Sequence, residues 1–199
     1  MKKKYIIGAM LLLTLALSSC GKSEQKATPK PTVETVTVTD APDEALLPTA
    51  EATNTENEDG TNQYENATAH YSVSYDPSQL QLENKNNIDY FTPADEKAAK
   101  EANLFLDIVN IENGTMKQMK KQIETSYKKK FEKATVKIGA DQTSSVCYTI
   151  KGEKNMRHQM YLVKGSDTLS LIEIKCPKKY EDTYGAYMDQ VLETISFNS

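Results

Sequence analysis

The chain has 199 residues, a formal net charge of −4 at pH 7 and a single arginine, Arg157. Nucleic-acid binding requires clustered arginine and lysine side chains that contact phosphates, so this composition argues against a nucleic-acid partner. The only histidines are His70 and His158, and the chain has none of the common glycine-rich phosphate loops or hydrolase motifs. We therefore expect no cofactor and no enzymatic activity.

The first twenty residues follow the order of a secretory leader. Three lysines at residues 2–4 precede an apolar run over residues 6–17, which is shorter than the roughly 20 residues that span a bilayer. The tetrapeptide Leu17-Ser18-Ser19-Cys20 resembles the lipobox of bacterial lipoproteins. This resemblance implies that residues 1–19 are a signal peptide, that the Cys20 sulfur carries a diacylglyceryl group, and that the mature protein is anchored to membrane lipid on the extracytoplasmic side.

Residues 20–65 are predicted to be a disordered linker. The segment is rich in Thr, Glu, Asp, Ala, Asn and Pro and contains ten acidic residues against three lysines. Such a composition cannot bury enough apolar surface to fold, and a flexible chain of this length spans roughly 35–40 Å. The Thr-Val alternation of residues 32–39 is compatible with a strand, but its proline and acidic neighbours favour disorder.

Residues 66–199 contain eighteen charges of each sign and are predicted to form one α+β domain. Strand-like alternation or short apolar runs predict strands at residues 71–75, 80–82, 88–91, 104–111, 136–138, 146–151, 156–164 and 169–176. Proline at a first helical turn predicts a brief helix over residues 92–102.

Two longer helices are predicted from apolar positions that recur at steps of three and four. The first follows Thr115 as its N-cap, and its apolar residues are Met116, Met119, Ile123, Tyr127 and Phe131. The second follows Pro177, and its apolar residues are Tyr180, Tyr184, Tyr187, Val191 and Ile195. We expect a single, mainly antiparallel sheet with these two main helices packed on opposite faces or on one face.

Three stretches of the domain carry a family resemblance: residues 71–77, the hairpin of residues 161–174 and the end of the terminal helix at residues 192–197. Their order resembles the PsbP-like and DcrB-like group over most of residues 66–199. Members often have a tryptophan soon after the first turn, and this chain has none. The resemblance implies a PsbP-like fold and a non-catalytic role in docking or assembly, and no binding residue carries over.

Met156, His158 and Met160 are the candidate metal ligands of the domain. Alternate residues of a strand share one face, and thioether and imidazole groups suit Cu(I). The competing interpretation is that the two methionines fill an irregular core and the histidine between them has a hydrogen-bonded partner. We favour this second interpretation, because three ligands in a flat row extend over roughly 13–14 Å, too far for one ion.

Cys147 and Cys176 are predicted to be separate, buried thiols. A protein exported to an oxidising space could form a disulfide. However, the predicted strand at residues 156–164 lies between the two cysteine-bearing strands. Their Cα atoms are then at least about 9.5 Å apart, beyond the roughly 7 Å limit for a disulfide.

Two surfaces could bind a partner. The first predicted helix and the residues after it carry many lysines, which could contact an anionic cell-wall polymer or lipid headgroups, although a solvated polar face is the commoner outcome. The lysines are Lys117, Lys120, Lys121, Lys128, Lys129 and Lys130. The tyrosines of the second helix could stack on sugar rings, although their helical spacing favours core packing.

The sequence therefore predicts a membrane-anchored extracytoplasmic lipoprotein whose domain docks on a protein or a cell-wall polymer. A small-ligand or metal carrier and a cell-envelope hydrolase are the alternatives. A deep pocket that holds His70 or His158 beside paired carboxylates would favour a hydrolase. A closed apolar cavity, or Met156, His158 and Met160 facing solvent, would favour a carrier, and a shallow open surface would favour docking.

Overall fold

A computed structural model of the protein describes residues 52–128, 130–165 and 168–197. The predicted leader, Cys20 and most of the predicted linker lie outside these residues. The strands are β1 (Ala52–Glu56), β2 (Asn62–Asn66), β3 (Tyr71–Tyr75), β4 (Leu80–Lys85), β5 (Ile88–Pro93), β6 (Phe105–Asn110), β7 (Phe131–Ile138), β8 (Thr143–Ile150), β9 (Met156–Lys164), β10 (Leu169–Pro177) and β11 (Ser196–Phe197). The α-helices are α1 (Met116–Ser126) and α2 (Ala186–Thr194). Neither has the length and apolarity needed to span a bilayer, nor does any other helix of the described ranges.

The strands form two sheets in which all neighbours pair antiparallel. The small sheet has the order β1-β2-β3-β11, and the large sheet has the order β4-β5-β6-β10-β9-β8-β7. The predicted α+β class is confirmed. The sequence predicted one sheet, but the structure has two. The small sheet was missed because β1 and nearly all of β2 lie in residues that the sequence analysis assigned to the linker.

The two helices lie on opposite faces of the large sheet. Tyr161 and Val163 of β9 belong to the larger core, which also contains residues of α2 and of the small sheet. Met160 and Leu162, which alternate with them, belong to a smaller core that contains Ile123 of α1. Successive residues of a strand point to opposite faces, so α1 covers one face while α2 and the small sheet cover the other.

The fold begins before residue 66, where the sequence placed the end of the disordered linker. Strand β1 is exposed at all five positions and is held by its pairing with β2. In β2, only Tyr64 and Asn66 are buried. Because neither strand has an apolar alternation, composition alone could not distinguish them from the linker.

Helix α1 begins as predicted and ends earlier. The Gln118 backbone N–H donates to Thr115 Oγ1 over 3.2 Å, and the Thr115 N–H donates to Gln118 Oε1 over 2.9 Å, which forms a capping box. The helix stops at Ser126, and Lys128 adopts a left-handed φ of 47°. Phe131, predicted as the last apolar residue of this helix, instead begins β7.

The other predicted helices are also shorter than expected. In place of a helix over residues 92–102, β5 continues to Pro93 and a single 3₁₀ turn forms at Ala98–Lys100. The chain approaches α2 through a 3₁₀ turn at Lys178–Tyr180 and a π-helical turn at Glu181–Gly185. The proline signal for residues 92–102 marked only a single turn, and the apolar periodicity after Pro177 did not show where regular helix begins.

The turn between β7 and β8 caps the C-terminus of α2. The Gly139 N–H donates to the Leu192 carbonyl over 2.9 Å, and the Ala140 N–H donates to the Ile195 carbonyl over 3.0 Å. Gly139 has a φ of 75°, and a Cβ at this position would lie 2.1 Å from the Ile195 carbonyl oxygen. Only glycine fits this turn, because it tolerates both the left-handed backbone and the close approach.

Helix α2 is also joined to the small sheet. The Thr194 hydroxyl donates to the Ser74 carbonyl over 2.9 Å and accepts a hydrogen bond from the Ser74 N–H over 3.1 Å. After the helix, Phe197 of β11 pairs with Tyr71 of β3. The first three strands and the last strand of the described chain therefore lie in the same sheet.

Candidate functional site

His158 lies on β9 between two carboxylates. Its Nε2 atom is 2.8 Å from Glu173 Oε1 on the neighbouring strand, and its Nδ1 atom is 3.1 Å from Glu153 Oε1 in the preceding loop. Ionised carboxylates only accept hydrogen bonds, so both contacts form together only when each ring nitrogen carries a hydrogen. The imidazole ring of His158 therefore bridges two acids, one at each nitrogen.

Packing encloses the His158 ring. Its side chain has no exposed surface, and the Tyr127 ring contacts it edge-on with the ring centres 5.5 Å apart. Burial is the largest effect and would raise the pKa of Glu173, but the hydrogen bonds and charge interactions with His158 and Lys175 together outweigh it and leave that pKa below its usual value. The histidine and its acids therefore form an internal hydrogen-bonded network.

The two methionines beside His158 pack as apolar side chains. Met160 is buried in the smaller core, and Met156 is half-buried at the start of β9. Both nitrogens of the His158 ring face carboxylates, which leaves no ring nitrogen directed at a metal ion. The described residues contain no group of three or more His, Cys, Asp or Glu side chains placed to hold a metal.

A further carboxylate, Asp107, lies beside this network on the large sheet. It lies directly opposite Glu173 in the pairing of β6 with β10. Its Oδ1 atom is buried and has no hydrogen-bond partner among the described residues. Burial, and next the negative charge of Glu173, raise the pKa of Asp107 to about 7.

The buried carboxylate of Asp89 links the two sheets through hydrogen bonds. The hydroxyls of Tyr64 and Tyr71 and the side-chain amides of Asn66 and Asn84 all donate to its two oxygens. Burial and the Asp89 carboxylate raise the pKa of Tyr71 well above its usual value. Because both oxygens of Asp89 are saturated, the group acts as an internal connection.

The other residues considered in the sequence analysis, His70, the two domain cysteines and Arg157, do not come together in one site. His70 is exposed in the turn before β3, with a φ of 54°. Cys147 and Cys176 are free and buried on strands that flank β9, which confirms the prediction of two separate thiols. The single arginine, Arg157, forms a two-pronged salt bridge with Asp189 of α2.

Lysines of the first helix line an open groove that runs along α1 and reaches β7 at its far end, which we call the α1 groove. It consists of two adjoining depressions that share Lys121 and Glu124. Its other lining residues are Met116, Lys117, Lys120, Thr125, Lys128, Phe131 and Lys133. The groove is shallow and presents ammonium groups to solvent.

The tyrosines near α2 are largely used in packing. Tyr180, Tyr184 and Tyr187 are half-buried against the larger core. Tyr180 also meets Tyr184 edge-on at 5.9 Å, and Lys179 Nζ lies 4.6 Å from the Tyr180 ring centre. These rings do not form a free stacking platform.

Sequence reasoning did not identify Glu153, Glu173, Asp89 or Asp107 as partners of other residues. The available signal was a single acidic residue within an apolar strand, as in Ile172-Glu173-Ile174. Such a residue is either exposed or paired, and the sequence does not identify its partner.

No protein-family model matches the chain, and no curated protein matches it. Among solved structures, it is similar to the solution structure of cyanobacterial PsbP (CyanoP) from Synechocystis sp. PCC 6803. The match has 10% sequence identity and a TM-score of 0.45, and it covers 69% of this chain and 92% of that one. This is a weak resemblance that concerns the fold alone.

Proposed function

We propose that the protein is a membrane-anchored lipoprotein of the extracytoplasmic face whose domain docks on a partner without catalysing a reaction. The anchor rests on the tetrapeptide Leu17-Ser18-Ser19-Cys20 after a short apolar run. The docking role rests on the open α1 groove, which offers a wide charged surface and no enclosed chamber for a small molecule.

The geometry of His158 argues against the rival hydrolase. A general base must reach the proton it abstracts, but this ring is buried and both of its nitrogens contact carboxylates. The carrier alternative would need a row of ligands that faces solvent, and Met160 is buried in the smaller core. Docking therefore remains the function that the surface supports best.

The anchor can be tested by labelling with radioactive palmitate. We expect the native chain to incorporate label and to sediment with membranes, whereas a Cys20→Ala chain loses the label and becomes soluble after export. Recovery of the unlabelled native chain in the cytosol with Met1 intact would exclude the anchor.

Docking can be tested separately with the lipid-free chain. We expect the Cys20→Ala mature chain to bind washed cell envelopes saturably. A peptide of residues 20–51 is the control for the tether, and we expect it not to be retained. Equal retention of the peptide and the chain would assign binding to the tether. No retention of either would refute a docking domain.

A further inference from the structure

We propose that the α1 groove binds an extended polyanion of the cell envelope whose charges are phosphodiester groups. This inference rests on the proposed docking function and names its partner by chemical class. Five lysines along two adjoining depressions, with a single glutamate that is paired with one of them, form a binding site for a chain of regularly spaced anions.

The groove concentrates positive charge on a domain that is otherwise balanced. Five lysines and one glutamate line it, while residues 66–199 as a whole contain eighteen charges of each sign. The balancing acids therefore lie elsewhere on the domain. A concave surface lined by one sign of charge raises the local concentration of oppositely charged ligands and speeds their association.

Glu124, the single acid of the groove, already forms hydrogen bonds with other side chains of the protein. Glu124 Oε1 lies 2.8 Å from Lys133 Nζ and 3.2 Å from the Tyr148 hydroxyl. The hydrogen bond from Lys133 lowers the pKa of Glu124, which therefore stays ionised. Among the described residues, no salt bridge engages the other four groove lysines. These four are Lys117, Lys120, Lys121 and Lys128.

The charges of α1 also conflict with the stability of the helix. Acids stabilise the N-terminal end of a helix and cations the C-terminal end. Here the first turn holds Lys117 and no acid, and the last turn holds no base. Lys120 and Lys121 lie one turn further, at repulsive three- and four-residue spacings from Lys117. Glu124 offsets part of this repulsion, since it lies four residues after Lys120 and three after Lys121. A local charge arrangement that departs from the stabilising pattern is typical of a functional site.

The shape of the groove favours a chain over a bilayer. The first depression lies along α1 from Met116 to Glu124, and the second continues from Lys121 and Glu124 to Phe131 and Lys133 of β7. Phe131, the groove's aromatic residue, packs edge-on against Tyr148 at 5.3 Å. Membrane-binding surfaces instead present aromatic and aliphatic side chains that insert among the headgroups.

The side-chain chemistry suits phosphate groups spaced along a chain. Arginine is favoured where a carboxylate or a phosphate is recognised by paired, planar hydrogen bonds, and the single arginine is engaged by Asp189. Lysine acts as a compact point charge, which can contact a phosphate group in any orientation. A polymer of repeating phosphodiesters would place successive anions along the row of lysines.

The test uses the Cys20→Ala mature chain and a poly(glycerol phosphate) probe. We expect binding that weakens with salt, and a Lys117→Gln/Lys121→Gln variant that binds about 25-fold more weakly, since each cation at an anionic surface contributes about fivefold. The log–log salt dependence should become shallower by about 1.4, as two phosphate contacts are lost. Glutamine keeps the helix propensity of lysine, so the variant should stay folded.

A Lys97→Gln/Lys100→Gln variant is the matched control, because it removes two exposed lysines outside the groove. Equal weakening in this control would overturn the proposal in favour of nonspecific attraction. Tighter binding to anionic phospholipid vesicles than to the polymer, lost in the groove variant, would also overturn it and assign the surface to the membrane. Tighter binding to polyglutamate would reject the phosphodiester assignment.

The same variants separate this proposal from the docking function. If the lipid-free chain is retained on envelopes but the groove variant is retained equally, docking holds and the α1 groove is excluded as its site. If neither chain is retained on envelopes, docking itself fails.

Discussion

Asp107 and Glu173 occupy directly opposed positions on the antiparallel strands β6 and β10. Glu173 is compensated by His158, whereas the Oδ1 atom of Asp107 is buried without a hydrogen-bond partner among the described residues. Two opposed acids destabilise a sheet when both are ionised. The stability of the folded protein therefore depends on whether Asp107 carries its proton.

We expect Asp107→Asn to stabilise the protein at alkaline pH. Asp107 has a pKa of about 7 in the fold and a usual value of 3.8. The folded state therefore binds the proton more tightly, so the stability from this group is complete below about pH 4 and is lost as the pH rises through 7. Asparagine cannot ionise, so the stability of the variant relative to the native protein should increase by about 3–4 kcal/mol between pH 4 and pH 8.

Urea unfolding at pH 4, 6 and 8 measures this difference. Glu96→Gln is the control, because it removes an exposed carboxylate that makes no hydrogen bond within the described ranges. A constant difference between Asp107→Asn and the native protein at all three pH values would contradict the prediction.

We expect His158→Phe to destabilise the protein by about 2–3 kcal/mol at pH 7, because it removes the hydrogen bonds to two carboxylates and leaves Glu173 without them. The pKa of Glu173 is lowered in the fold, so its contribution is present above its usual value of 4.5 and is lost as the pH falls through the folded value. The deficit of the variant should therefore shrink in acid.

Chemical denaturation of His158→Phe, alone and combined with Glu173→Gln, measures this effect. The second substitution removes the uncompensated charge and should restore part of the loss. His70→Asn is the control, since asparagine tolerates the left-handed backbone of this exposed turn. A deficit that the second substitution deepens would show that apolar packing, and not the charge pair, sets the cost.

Tyr71→Phe should weaken the connection between the two sheets. It removes one of four donors to the buried Asp89 carboxylate, and the loss of a hydrogen bond to a charged group costs about 1.5–3 kcal/mol. The free energy of unfolding measures the loss. Tyr187→Phe is the matched control, because the Tyr187 hydroxyl makes no hydrogen bond in the part of the chain that the structure describes. An equal effect in both variants would assign the loss to general packing.

The two domain cysteines should resist alkylation until the protein unfolds. Both are buried, and burial raises the pKa of Cys176 to about 11 and also raises the pKa of Cys147. Iodoacetamide reacts with thiolates. In the Cys20→Ala chain, mass spectrometry should find no label in native protein at pH 8 and two labels after denaturation without reductant. Two unlabelled cysteines after denaturation would indicate a disulfide and refute the prediction.

Lys117→Glu should stabilise the protein while it impairs polyanion binding. An acid in the first turn of α1 interacts favourably with the helix dipole and attracts Lys120 and Lys121, for a gain of about 0.5–1 kcal/mol. Thermal unfolding measures the gain, with Lys97→Glu as an exposed charge reversal outside α1. A loss of stability in Lys117→Glu would show that lysine has a structural role there.

The sequence predicted elements whose signals are local. The start of α1 depends on Thr115 and Gln118, three residues apart, and both lie within one recognisable motif. The end of α1 was missed because the apolar period continues from Tyr127 to Phe131 across the left-handed Lys128. Strands β1 and β2 were missed because their polar residues pair with each other and bury little apolar surface.

The charged networks could not be predicted because their partners are distant in the chain. His158 and Glu173 are 15 residues apart, and Tyr64 and Asp89 are 25 apart. The register that brings each pair together is set by strand pairing and turn geometry, which a single sequence does not specify. The lysines of α1 were identified from sequence, but the part of the groove that Phe131 and Lys133 line depends on where β7 lies beside the helix.

The hydrogen bonds between Ser74 and Thr194 join residues 120 positions apart. A chain that emerges from a ribosome or a translocation channel in the N-to-C direction exposes β3 long before α2 and β11 exist to cover it. Strand β11 can pair with Tyr71 and Ser72 of β3 only after residues 196 and 197 have emerged. We therefore expect this edge of β3 to gain its last partner late in synthesis, because its contacts join the two ends of the domain.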